Sequence, residues 1–138
     1  ACTGGAAATK ARLAAQKLLA PTGDDKLRFN GTVTMPTTPA IDPITKGMRV
    51  VVTTVTNDTL LDVSITGAAF SKGTKPGVFK FKVTAKNGAF PTTLADVPLH
   101  ATLVVDAPYA ATGQCGEVGF ASAASCKFNP SQSSVSCK

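Results

Sequence analysis

Apolar and polar residues alternate through most of the middle of this chain, and a repeat of two confines a polypeptide to strands with one dry and one wet face. From Lys26 to Val33, Leu27, Phe29 and Val33 fall on one side with Gly31, while Lys26, Arg28, Asn30 and Thr32 fall on the other. Val78 to Thr84 repeats the pattern, with Phe79, Phe81 and Val83 inward and Lys80, Lys82 and Thr84 outward. Within Thr59 to Thr66, Leu61, Val63 and Ile65 oppose Asp62, Ser64 and Thr66. Gly47 to Thr56 is rich in β-branched residues, and the intervening Asn57-Asp58 predicts a tight hairpin because both residues tolerate positive φ. Leu99, Ala101, Leu103 and Val105 form a further inward set between Pro98 and Pro108. Shorter pieces follow around Val118 to Phe120, Cys126 to Phe128 and Val135 to Cys137. About eight short strands separated by turns predict an all-β antiparallel β-sandwich rather than βαβ units.

The start breaks this pattern. Residues 1–20 read as an N-terminal segment and 21–138 as the β-sandwich domain. Ala6 to Ala20 is Ala-rich, and propensity predicts a short helix ended by Pro21. On a helical wheel Ala11, Ala14, Ala15, Leu18 and Leu19 share one side, but Leu13 falls among Lys10, Gln16 and Lys17. A helix with so weak an apolar stripe is marginal alone and must dock on the domain or on another subunit. Leu13, Leu18 and Leu19 are therefore the candidate assembly residues. A competing reading makes Gln16 to Ala20 a strand that turns through Pro21 to Asp25 into the Lys26 strand. Pro36 to Pro43, with three prolines, reads as an irregular connection.

The inventory for chemistry is thin. In 138 residues, the size of one domain, there are one His, one Tyr and no Trp. His100 sits at an outward strand position with no nucleophile beside it in the sequence. Asp62, Asp96, Asp106 and Glu117 each fall beside a turn or on a polar face, and neither Asp24-Asp25 nor Asp42 belongs to a calcium-loop pattern. The expectation is a non-enzymatic protein with no cofactor and no metal.

The net charge of +6 is spread along the chain without a basic block, so it reads mainly as solvated strand faces. It leaves a polyanionic surface ligand as a candidate partner. Phe79 and Phe81 alternate with Lys80 and Lys82, which puts rings inside and charge outside, so no base-stacking platform and no specific nucleic-acid partner are expected. No apolar run reaches the ~18–20 residues of a membrane span. Asn57-Asp58-Thr59 and Asn30-Gly31-Thr32 match the glycosylation sequon, making Asn57 and Asn30 candidate acceptors.

Cys2, Cys115, Cys126 and Cys137 fit no zinc spacing, and an even set predicts disulfides and an oxidising compartment. The favoured pairing joins Cys126 to Cys137 across a hairpin turning at Asn129 to Gln132, and Cys2 to Cys115. Cys2 bridging to a neighbouring molecule is the alternative. Ala1, a small residue directly before Cys2, suits the product of signal-peptide cleavage, so the protein is expected to be secreted, extracellular or at a cell surface.

The C-terminal third carries Val104-Val105-Asp106-Ala107-Pro108, Gly113-Gln114-Cys115-Gly116-Glu117, Ser125-Cys126-Lys127-Phe128 and Val135-Ser136-Cys137-Lys138, with Lys86-Asn87-Gly88 upstream. In these residues the chain resembles uncharacterised secreted β-sandwich modules of Gram-negative bacterial surface proteins. The resemblance implies an extracellular location and a β fold, and no catalytic residues. Together these readings point to a secreted, non-enzymatic structural protein that self-associates, as a homo-oligomer or as a subunit of an extracellular filament or surface assembly. The alternative is a binding or adhesion module for carbohydrate or another surface ligand.

Overall fold

A computed structural model describes residues 6–65, 69–105 and 113–138 of the chain. The chain runs through β1 (Ala6–Ala7), β2 (Thr9–Gln16), β3 (Asp25–Thr34), the one-turn helix α1 (Pro43–Lys46), β4 (Met48–Thr53) and β5 (Thr59–Ile65). It continues through β6 (Ala69–Lys72), β7 (Val78–Gly88), β8 (His100–Val104), β9 (Cys115–Gly119), β10 (Cys126–Phe128) and β11 (Ser134–Cys137). These strands form two sheets. A five-stranded sheet has the order β1-β9-β8-β4-β5, and a six-stranded sheet has the order β10-β11-β2-β3-β7-β6. All neighbouring strands are antiparallel except β1 beside β9.

The alternation read from the sequence decides which side chains meet. Leu27, Phe29 and Val33 of β3 and Phe79, Phe81 and Val83 of β7 are buried, as are Val50 and Val52 of β4 and Ala101 and Leu103 of β8. They belong to one apolar cluster contributed by both sheets. The Phe29 and Phe81 rings meet edge to face at 4.9 Å, and Phe70 of β6 stacks on Phe79 at 5.0 Å. Phe81 also lies against Gly31, directly opposite it, where a Cβ would sit 3.2 Å from the ring. Gly116 is tighter still: a Cβ there would stand 2.3 Å from Val33 Cγ2, so the approach of β9 to β3 requires glycine.

The N-terminal segment corrects the sequence reading. Residues expected to form a helix over Ala6 to Ala20 instead form strand β2, bonded to β3 on one edge and β11 on the other. Ala11, Leu13 and Ala15 are buried while Arg12 and Gln16 are exposed, which is period two. The helical wheel stranded Leu13 among polar residues, whereas the strand places it in the core at 1% exposure. Alanine's helix preference is worth at most ~0.7 kcal/mol per residue over ordinary residues. Burying one leucine gains ~1.5–3 kcal/mol, and residues 13–16 pair with a strand on both edges, so tertiary context prevails over propensity. Residues 9–16 are thus an interior strand of the same sheet as β3 and β7.

The candidate assembly trio divides accordingly. Leu13 is fully inside, Leu18 packs partly against the core, and Leu19 alone projects, at 51% exposure. The competing strand over Gln16 to Ala20 is not formed either, because β2 ends at Gln16 and residues 17–24 make the connection to β3. Lys17, at φ 62°, closes that connection with an ion pair to Asp24 at 2.7 Å.

Two buried polar side chains pin the loops. The Asp25 carboxylate, 5% exposed, accepts the Phe90 backbone N–H at 2.6 Å and so seats the segment after β7. Gln114, 0% exposed, donates through Nε2 to the Pro36 carbonyl at 3.1 Å and to the Pro39 carbonyl, holding the proline-rich connection expected from the sequence against the five-stranded sheet.

Candidate functional site

Cys126 and Cys137 occupy directly opposed positions on β10 and β11 and are disulfide-bonded, with Cα atoms 4.0 Å apart. The turn between them is built by Asn129, whose Oδ1 accepts from Ser134 N at 3.0 Å and whose Nδ2 donates to Ser131 Oγ and Ser133 Oγ. Cys115 is fully buried and also disulfide-bonded. The expected Cys2 end of a Cys2–Cys115 bridge lies outside the described residues.

The scarce groups that acid–base chemistry would need gather on the outer face of the five-stranded sheet. His100, Thr102, Arg49, Asp62 and Glu117 line a shallow basin of about 660 Å³ floored by Val51 and Val104. Arg49 engages Asp62 across the β4–β5 pair with two bonds, Nε to Oδ1 at 2.6 Å and Nη2 to Oδ2 at 2.5 Å. This guanidinium holds the Asp62 carboxyl below the ordinary carboxylate range, mainly through the direct hydrogen bond. The His100 ring lies over Gly119, where a Cβ would be 3.2 Å from Cδ2. Among the described residues, no three His, Cys, Asp or Glu side chains are placed to hold a metal ion.

The remaining carboxylates serve turns. Asp42 Oδ1 caps α1 by accepting Thr45 N at 3.0 Å. Asp58 accepts from Thr56 Oγ1 at 2.6 Å inside the β4–β5 turn, and Asp96 accepts from Thr93 N and Oγ1 at 2.6 and 2.8 Å. Asp106 lies outside the described residues. Of the two sequon residues, Asn57 is exposed in the β4–β5 turn at φ 66°. Asn30 is half-buried on β3, between Arg12 on one neighbouring strand and Lys82 on the other.

A different surface dominates the electrostatics. The outer face of the six-stranded sheet carries Arg12 on β2, Lys26 and Arg28 on β3, Lys80 and Lys82 on β7, and Lys127 on β10, each flanked by inward neighbours, together with Lys86 of β7, which stands opposite Lys26. Among the described residues no Asp or Glu stands at an outward position of this sheet; Asp25, at the start of β3, is turned inward. Lys26 is directly opposite Lys86. Like charges placed opposite one another on neighbouring strands are destabilising, so the arrangement costs the fold stability. In the sequence these cations extend from Arg12 to Lys127, and only the pairing of β2, β3, β7 and β10–β11 assembles them. The available signal was that β3 and β7 each alternate a cation with a core residue.

Comparison of the chain with known protein families, with curated proteins and with solved structures finds no match.

Proposed function

We propose that this chain is a secreted, non-enzymatic binding module that attaches to polyanionic surfaces through the outer face of its six-stranded sheet. The observation that carries the proposal is the concentration of seven cations on that face, unrelieved by any carboxylate among the described residues. A field of one sign over a flat face concentrates polyanions and speeds their association. Disulfide bonding supports an extracellular location. The strand orders β2-β3-β7-β6 and β9-β8-β4-β5 support an immunoglobulin-like sandwich, extended here by the β10–β11 hairpin.

The test is binding to heparin and to polyphosphate over a salt series. The expected result is retention at about 50 mM salt that weakens steeply as salt rises, because each neutralised anion releases counterions. Lys80→Glu with Lys82→Glu should lower affinity at least tenfold. Lys72→Glu with Lys75→Glu, an equal change of net charge at the β6–β7 turn, should have a far smaller effect. Absence of binding to either polyanion by the parent protein, or equal losses in the two variants, refutes the reading.

Self-association is the second reading, favoured by the position of β5. This seven-residue strand forms the edge of its sheet, and among the described residues only β4 pairs with it. Its test is the molar mass by light scattering across a concentration series.

A further inference from the structure

The proposed binding face has internal order, and its order specifies the kind of polyanion. Outward positions on β3 and β7 form successive cross-strand rows. The first row holds Lys26 opposite Lys86. The next three pair Arg28 with Thr84, Lys82 with Asn30 and Lys80 with Thr32. Each of these three rows therefore presents one cation and one neutral hydrogen-bonding side chain, ~4.7–4.9 Å apart across the strands and repeating every ~6.8 Å along them. Four rows make a rail ~20 Å long, with a cation at every step.

A ligand matched to this rail offers an anion and hydroxyl groups together, repeatedly, along an extended chain. An acidic sugar residue has that combination: a carboxylate or sulfate for the lysine or arginine, and ring hydroxyls for the threonine or asparagine. A single-stranded nucleic acid offers the anions, but its bases gain most of their affinity by stacking on exposed rings. This face has none among the described residues, because all seven Phe belong to the core or pack against it. The same lack of rings removes the platform on which neutral sugars stack. Resting on the polyanion reading above, we infer that the outer face of β3 and β7 binds a linear acidic polysaccharide, with the chain running along the strands.

The test compares polygalacturonate with oligothymidylate of equal charge count and with uncharged dextran, by isothermal titration at low salt. The parent protein is expected to bind polygalacturonate about tenfold tighter than the DNA strand, and dextran not measurably. Thr32→Val with Thr84→Val removes two hydroxyls while keeping strand-favouring side chains and the charge. It should weaken polygalacturonate binding about five- to a hundredfold, the worth of two neutral hydrogen bonds, and leave DNA binding unchanged. Far-ultraviolet circular dichroism checks that the variant is folded. Equal or tighter binding of the DNA strand, or an unchanged polygalacturonate affinity in the double variant, overturns the acidic-polysaccharide inference and leaves the polyanion reading standing. Failure of every polyanion to bind overturns both.

Discussion

Leu13→Ala tests the N-terminal strand most directly. Leu13 is 1% exposed and stands opposite Phe29 of β3 and Cys137 of β11, both of which are fully buried. The substitution removes three carbons from the core, a transfer loss of ~2.4 kcal/mol at ~0.8 kcal/mol each. Neighbours held by ladders on both edges collapse poorly into the space, so a cavity contribution adds to this and brings the total to ~3–4 kcal/mol. Urea unfolding followed by circular dichroism reads the change. At a slope of ~1–3 kcal/mol per molar urea, the midpoint should fall by at least ~1 M. Leu19→Ala, at a side chain 51% exposed, should stay within ~0.5 kcal/mol of the parent. Were residues 6–20 a surface helix, Leu13→Ala would leave stability unchanged or raise it, because alanine is the better helix former. A loss below ~0.5 kcal/mol therefore refutes both the strand and the burial of Leu13.

Three other perturbations follow from the packing and the charges. Gly116→Ala forces a methyl to within 2.3 Å of Val33 Cγ2 and should cost ~1–3 kcal/mol in denaturant unfolding, with Val33→Ala in the same chain restoring part of the loss if this contact is the cause. Replacing Cys126 and Cys137 together by Ala frees an 11-residue separation in the unfolded chain and should cost ~2–4 kcal/mol; equal unfolding midpoints for parent and variant would contradict a stabilising bridge. Asp62 has its folded-state pKa lowered by Arg49, so the pair stabilises the fold above the unfolded value near 3.8, and that contribution disappears as pH falls through the lowered folded value. Both side chains are more than a third exposed, so the effect is no more than ~1 kcal/mol. Asp62→Asn should narrow the stability difference between pH 7 and pH 2 by that amount in paired urea titrations, and an unchanged difference would contradict it.

Much of the fold was legible because a half-buried strand records its two faces in consecutive residues. Phe79, Lys80, Phe81, Lys82 and Val83 state their orientation without reference to any partner, and the structure places each as the alternation requires. The Cys126–Cys137 bridge was legible for a similar reason, since a short hairpin with a turn at Asn129 brings its own ends together. Strand β2 was not legible. Its Thr-Lys-Ala-Arg-Leu-Ala-Ala-Gln run has a weak apolar period of two and a strong local preference for helix, and although β3 follows it closely, the other edge that claims it, β11, begins more than a hundred residues further along the chain. The short strand β6 was missed as well, because Ala69 to Lys72 owe their pairing to β7 rather than to a pattern of their own.

The candidate surface divides along the same line. By itself the sequence determined that Lys26, Arg28, Lys80 and Lys82 face away from the core, because side-chain direction within a strand is a local property. It also determined that Phe29, Phe79 and Phe81 are spent on packing, since they fall at inward positions of their strands. Only the tertiary structure decided that β3 lies beside β7 in a register that sets Lys26 against Lys86 and places Asn30, Thr32 and Thr84 each across from a cation. The physical reason is that register is a relation between segments some fifty residues apart, fixed by how their inward faces interlock around Phe29 and Phe81, and no residue's own neighbours in sequence contain it.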